Sequence, residues 1–155
     1  GEGLTTVPGY NHNVAAGTWT ITGIPRVTIH PVGFTDVGWL YSTIMHEYQH
    51  VLQFVAGYNA DPNSQAVIDS DEVDAYLWEI EHANDTGVIN HPAQLHDVGN
   101  RLTSHFTNLP PARQATYQAR YTAAMAVVNA VPLPLVSVTQ PSRSAALSSR
   151  PTVST

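Results

Sequence analysis

The stretch STIMHEYQHVLQF, residues 42–54, has the pattern of an α-helix. Its apolar residues recur every three or four positions, which is the spacing of one face of an α-helix. The surrounding pattern predicts a helix over Trp39–Ala56. Thr35 or Asp36 is the predicted N-cap, and Gly57 stands where a glycine commonly follows a helix end.

Two histidines and a glutamate inside this helix have the spacing of a zinc site. His46 and His50 are four residues apart and therefore present two imidazoles on one helix face. Zinc accepts imidazole nitrogens at about 2.0–2.1 Å, so a helix supplies such a pair without strain. Glu47 is turned away from the metal and is placed to act as a general base on its water. This is the H-E-x-x-H motif. A solvated polar stripe on a surface helix is the alternative interpretation.

A zinc site of this type needs a third protein ligand. The positions where a metzincin would have its glycine and third histidine are Gln53 and Ala56, so that family is excluded. Glu72 is our candidate, because the gap after His50 leaves room for a loop and a second helix. The same glutamate would also complete a capping box with Asp69. Other possible third ligands remain open: Asp69, Asp71, Glu79, His91 and His96.

The remaining segments predict the architecture. Two β-prone segments, expected to pair as a hairpin, precede the motif helix: Thr18–Thr22 and Arg26–His30. Three helices are predicted after it: Ser70–Ala83, Pro92–Phe106 and Pro111–Ala130. Strands followed by helices predict an α+β fold. We expect one domain over residues 1–131 and a Ser/Thr/Pro-rich tail or linker over residues 132–155.

Composition limits the classes of partner. The chain has 155 residues and a net charge of −6, with twelve acidic residues against six basic ones, so it offers little positive charge for nucleic acid or an anionic membrane. It has no cysteine, which excludes disulfides, thiolate zinc ligands and cysteine catalysis. No apolar run is long enough to insert across a membrane. Since position 1 is glycine and no signal-peptide pattern follows, we expect a fragment, a processed form or one domain of a larger protein.

The motif pair resembles a known family. With His46, Glu47, His50 and the segment Glu72–Ala75, the chain resembles zincin metallopeptidases of the gluzincin type. The resemblance implies a zincin-like fold and a zinc-dependent metalloendopeptidase. The two histidines and Glu72 would hold Zn²⁺, and Glu47 would be the catalytic base. A protein or peptide is the implied substrate. A non-catalytic, zincin-shaped protein-binding module is the alternative.

Further residues indicate which zincin branch the chain resembles and how it would bind substrate. Arg26–His30 would be the edge strand along which such enzymes bind extended substrate. The thermolysin branch has an aspartate where this chain has Tyr76, which argues against that branch. The chain is more similar to compact metallopeptidase domains of bacterial effectors and polymorphic toxins, which implies secretion or delivery into a target cell. Tyr76 and Glu79 lie one and two turns beyond Glu72 and are expected to orient ligands or stabilise an oxyanion.

Overall fold

The structure is a computed structural model, and it describes residues 16–21, 24–57 and 64–134. Its strands are β1 (Ala16–Ile21) and β2 (Ile24–Ile29). Its α-helices are α1 (Val37–Val55), α2 (Gln65–Glu81), α3 (Ala83–Thr86), α4 (Pro92–Asn108) and α5 (Pro111–Ala130). Two short 3-10 turns, Pro31–Phe34 and Val88–Asn90, precede α1 and α4.

Helix α1, which carries the motif, begins and ends close to the predicted positions. The Asp36 side chain accepts a 2.7 Å hydrogen bond from the backbone N–H of Trp39, as an N-cap does. Gly57 has a φ of 75°, the left-handed conformation that glycine adopts without steric cost after a helix end. Local chemistry therefore defines both ends of this helix.

Helix α2 begins earlier than predicted. Its N-cap is Ser64, so Asp69 is a buried residue in the helix interior and not its cap. The capping-box interpretation of Asp69 and Glu72 is therefore wrong. Gln65 and Ala66 are good helix formers, which explains why the helix extends back over them.

The core lies between helices. Helices α2 and α4 pack along their lengths, and α5 closes one side. Most of the fully buried apolar side chains at the centre come from α2, α4 and α5: Val73, Leu77, Ile80, Leu95, Val98, Leu102 and Val128. Helix α1 packs on α2 and on the hairpin at the edge of this core. The two helices that hold the histidines and Glu72 are therefore neighbours.

The predicted α+β, zincin-like class is wrong. The described residues are predominantly helical, and β structure among them is limited to one short N-terminal hairpin. The strands pair antiparallel with Ala16 opposite Ile29 and Ile21 opposite Ile24. Apolar residues of β2 such as Ile24 and Val27 are exposed, and the central apolar cluster includes no hairpin residue whose side chain the structure describes. Four helices follow α1 in the described chain instead of three, because the short α3 separates α2 from α4.

The predicted tail begins at residue 132, and residues 135–155 of it lie outside the described residues. The division into a domain and a tail therefore stays a prediction. Helix α5 ends at Ala130, as predicted from the prolines that follow it. None of the described helices combines the length and the apolar character that crossing a membrane requires.

Candidate metal centre

The structure brings the three predicted ligands together. The Nε2 atoms of His46 and His50 are 3.1 Å apart. One carboxylate oxygen of Glu72 lies 3.5 Å from His46 Nε2, and its other oxygen lies 3.5 Å from His50 Nε2. Among the described residues, these three form the one group whose ligand atoms are arranged to hold a metal ion.

The three separations fit zinc geometrically. Four ligands bound tetrahedrally at about 2.0–2.1 Å lie about 3.3–3.4 Å from one another. The 3.1 Å separation of the two Nε2 atoms is close to this value, and each Nε2 lies 3.5 Å from a different carboxylate oxygen of Glu72. Three protein ligands leave the fourth position for water or substrate, which is the pattern of a catalytic site. The donor set of two imidazoles and one carboxylate suits zinc in chemical type as well.

His46 is held by a buried carboxylate. Its Nδ1 atom lies 2.8 Å from Oε1 of Glu79, and Oε2 of Glu79 accepts a 2.5 Å hydrogen bond from Ser42 Oγ. Because a carboxylate oxygen only accepts hydrogen bonds, Nδ1 donates, and Nε2 is left near His50 and Glu72. Glu79 is seven residues after Glu72 on α2, and both therefore lie on one helix face. The sequence had indicated Glu79 as a residue that orients a ligand.

His50 is held by an amide. Its Nδ1 atom donates a 2.8 Å hydrogen bond to Oε1 of Gln53, and Nε2 of Gln53 donates to the carbonyl of Asp71 at 2.9 Å. Gln53 therefore links the histidine on α1 to the backbone of α2 beside Glu72. From the sequence, Gln53 is predicted only to replace a metzincin glycine. Its position three residues after His50, on the same helix face, was the available signal.

Glu47 lies next to His46 on α1 and is 5% exposed. His46 is similarly buried, at 7%. A solvated polar stripe would leave these two side chains exposed to water, whereas both are buried in this helix. The alternative interpretation of the motif as a surface stripe therefore does not describe the structure.

The other candidate third ligands are engaged elsewhere or lie outside the cluster. Oδ1 of Asp69 accepts a 2.8 Å hydrogen bond from His105. Oε1 of Glu79 accepts a hydrogen bond from Nδ1 of His46. His91 lies 3.5 Å from Asp36, and His96 Nε2 donates to the carbonyl of Val131 at 2.7 Å. Asp71 contributes its backbone carbonyl to the Gln53 link, and its carboxylate does not belong to the group formed by His46, His50 and Glu72.

Aromatic rings connect the site to helix α4. The ring of Tyr76 lies 4.5 Å from that of His46, measured between centroids, and the ring of His105 stacks on Tyr76 at 5.8 Å. Asp69, 1% exposed, fixes the orientation of His105, while its Oδ2 has no hydrogen-bond partner among the described residues. The sequence predicts the scattered histidines to be exposed or hydrogen bonded. His105 is hydrogen bonded to Asp69, and the packing of α4 on α2 also places it near the candidate ligands.

The electrostatics of the site depend on the His46–glutamate contacts. Burial by itself lowers the pKa of His46, but hydrogen bonds and charge interactions with Glu72 and Glu79 outweigh it and raise the pKa to about 10. Burial likewise opposes ionisation of Glu72, but the contacts with His46 and the charge of His50 keep its pKa below the usual value. In metal-free protein at neutral pH, His46 is therefore protonated. A metal ion must displace that proton, so metal binding should depend on pH.

The Tm of the metal-free protein and the increase in Tm caused by zinc should change with pH in opposite directions. The pKa of His46 rises from 6.5 to about 10 on folding, so its contribution to stability is complete below pH 6.5 and is lost as pH rises through 10. We expect the Tm of chelated protein to fall over this window. Zinc binds deprotonated His46, so the increase in Tm on adding zinc should grow with pH. Thermal melts from pH 6 to 10 check both trends, and His46→Gln should remove the first.

Loss of the carboxylate behind His46 should weaken metal binding without removing a ligand. Glu79→Gln keeps the volume of the side chain but removes the charge that orients and polarises His46. Partners of this kind typically contribute about 10–100-fold to metal affinity. We expect a loss in that range by competition with a zinc chelator. Glu81→Gln is the matched control, because Glu81 is on the exposed surface of α2 and pairs with Arg120. An affinity unchanged by Glu79→Gln would contradict the role assigned to Glu79.

Comparison with known proteins gave no match to a family model, to a curated protein or to a solved structure. The zincin resemblance therefore rests on the motif residues alone.

Proposed function

We propose that this chain is a zinc-dependent metallopeptidase that hydrolyses peptide bonds in proteins or peptides. The observation that carries the proposal is the cluster of His46 Nε2, His50 Nε2 and the two Glu72 carboxylate oxygens, with nearest separations of 3.1 Å between the nitrogens and 3.5 Å from each nitrogen to one oxygen. Hydrogen bonds to Glu79 and Gln53 hold the Nδ1 atoms of His46 and His50, respectively. These contacts support a preorganised zinc site with an open position, as catalytic sites have.

The burial of the site also supports the proposal. Two imidazoles and two carboxylates lie together, and burying such groups is costly unless they are paired or bind a metal. His46 and Glu47 are both less than 10% exposed. They are buried polar residues on a helix that also carries exposed apolar residues. Buried imidazoles and carboxylates are not expected to stabilise the fold more than an apolar contact between α1 and α2 would. A functional role explains why polar groups occupy this interface.

Each residue has a distinct role in the proposed reaction. Zinc, when bound, supplies a Lewis acid that polarises a carbonyl and makes water more acidic. Glu47, adjacent to the first ligand, takes the proton of the attacking water and delivers it to the leaving amine. Glu79 and Gln53 hold the histidine ligands in one tautomer, so that neither ring has to reorient during turnover. Tyr76, packed on the His46 ring, limits the movement of that ligand.

The direct test is cleavage that depends on zinc. Purified protein should contain about one zinc per chain, the number that one three-ligand site holds. It should cleave peptides in a mixed proteome-derived library, detected by mass spectrometry as new termini. Treatment with a chelator should abolish cleavage, and stoichiometric zinc should restore it. Retention of zinc with no cleavage of any library peptide would favour the non-catalytic binding module. Failure to bind zinc at all would refute the proposal.

A further inference from the structure

The outward face of α1 carries an apolar stripe that the metal site does not use. Successive members are three or four residues apart, so they lie on one face along the 19-residue helix. Each is between 39% and 83% exposed. We call this set the α1 stripe: Val37, Tyr41, Ile44, Tyr48, Leu52 and Val55. Large contiguous apolar patches are rare on monomeric proteins and usually mark interaction sites.

The α1 stripe and the metal ligands lie on opposite faces of the helix. At about 100° per residue, His46 and Gln53 are rotated roughly half a turn from Ile44 and Val55. His46 and Gln53 contact α2, whereas the stripe is exposed in the described part of the chain. A partner on the stripe would therefore leave the ligands and their supporting hydrogen bonds in place.

We propose that the α1 stripe is the interface of a homodimer in which two α1 helices pack antiparallel across a two-fold axis. The intervals along the stripe are nearly the same in both directions, so an antiparallel pair brings its residues into register. Val37 of one copy then faces Val55 of the second, Tyr41 faces Leu52, and Ile44 faces Tyr48. Each tyrosine meets an aliphatic residue, so large and smaller side chains alternate across the contact. A two-fold interface uses one patch on both copies, and this patch is complementary to itself.

The lack of charge on the α1 stripe is compatible with a second copy and argues against an anionic membrane. The chain has a net charge of −6, which opposes association both between copies and with an anionic membrane. No stripe residue is charged, and the one acidic residue of α1, Glu47, is buried. Two stripes can therefore meet without like charges in contact. A membrane surface would require basic residues beside the apolar ones, and α1 has no Lys or Arg.

The available area suits a weak, specific dimer. The exposed parts of six large side chains amount to roughly 600 Å² per copy, so a pair would bury about 1,200 Å², the lower end for specific interfaces. Phe34, 59% exposed, lies three residues before Val37 and could extend the contact at each end. We therefore expect dimer at high protein concentration and dissociation on dilution.

Sedimentation of chelated and zinc-loaded protein tests association. Wild type at about 100 μM, a concentration at which weak interfaces are occupied, should sediment as a dimer in both states. Ile44→Arg places a charge near the two-fold axis in each copy and should give monomer, with an unchanged circular dichroism spectrum as the check of folding. Ala119→Arg, on the exposed surface of α5, is the control and should remain dimeric. A monomeric wild type would overturn the proposal, even if it binds vesicles. Because dimerisation is expected without zinc, this test is independent of the proposed peptidase activity.

Disulfide trapping tests the antiparallel arrangement. The chain has no cysteine, so introduced thiols report on their own contacts. Val37 and Val55 are about 27 Å apart along one helix, far beyond the reach of a disulfide, so Val37→Cys/Val55→Cys can bond only between copies. The double variant should form a covalent dimer under mild oxidation. Val37→Cys alone should not, because its two copies lie at opposite ends. Efficient dimerisation of the single variant would indicate parallel helices and overturn the antiparallel model.

Discussion

Replacement of Glu47 by glutamine should reduce kcat/KM for a cleaved peptide by about 10²–10⁴-fold, the contribution of a general base. The change keeps the size and hydrogen-bonding shape of the side chain but removes the group that accepts the proton of the attacking water. The metal should be retained, because Glu47 is not one of the three residues that could hold it. The measurement is steady-state hydrolysis of one fluorogenic peptide, with zinc content determined on the same sample.

Two results would weigh against this role of Glu47. Cleavage by Glu47→Gln at the wild-type rate would mean that another group activates the water, or that a contaminating protease causes the cleavage. Loss of zinc along with activity would mean that Glu47 supports the site structurally. Glu81→Gln, a change of the same kind on the exposed face of α2, should retain full activity and controls for the loss of one negative charge.

Replacement of Glu72 by alanine should remove high-affinity zinc binding. Glu72 provides the only ligand from α2 in the cluster, and without it the two histidines of α1 form an incomplete set. Since residues that merely support ligands contribute about 10–100-fold, loss of a ligand should exceed about 100-fold in affinity. Competition titration with a chromogenic chelator measures the change. The zinc-induced rise in Tm should disappear in parallel, because only metal bound to the folded state stabilises it.

The neighbouring aspartate provides the matched control for Glu72. Asp71 is the preceding residue on α2, is also acidic, and is one of the ligands that the sequence left open. Its contact with Gln53 uses the backbone carbonyl, so Asp71→Asn keeps that hydrogen bond. We expect zinc affinity close to wild type. The reverse result, with Asp71→Asn losing zinc and Glu72→Ala keeping it, would move the third ligand to Asp71.

The polymorphic-toxin resemblance and the implied delivery into a target cell stay predictions of the sequence. The same holds for the tail, because residues 135–155 lie outside the described residues. The edge-strand mode of substrate binding depended on a zincin-like sheet. The described chain has only the pairing of β1 with β2, and that mode is therefore not part of the proposed function.

Local sequence determined the parts of this protein that need only neighbours along the chain. The cap at Asp36 and the glycine at Gly57 specified α1, and the spacing of His46 and His50 put their rings on one face. The start and end of α5 followed in the same way from flanking prolines. These features depend on hydrogen bonds and steric preferences within a few residues, and such preferences can be recognised in a sequence.

Tertiary structure decided the features that depend on contacts between distant residues. Packing of α2 against α1 selected Glu72 from several acidic residues, placed Glu79 behind His46 and joined Gln53 to the Asp71 backbone. Packing of α4 on α2 brought His105 to Asp69. Among the described residues the β-prone segments form only a hairpin, and the apolar cluster at the centre comes from the helical part of the chain. Periodicity shows which face of an element is apolar, but the burial gained by packing whole elements together determines which faces meet.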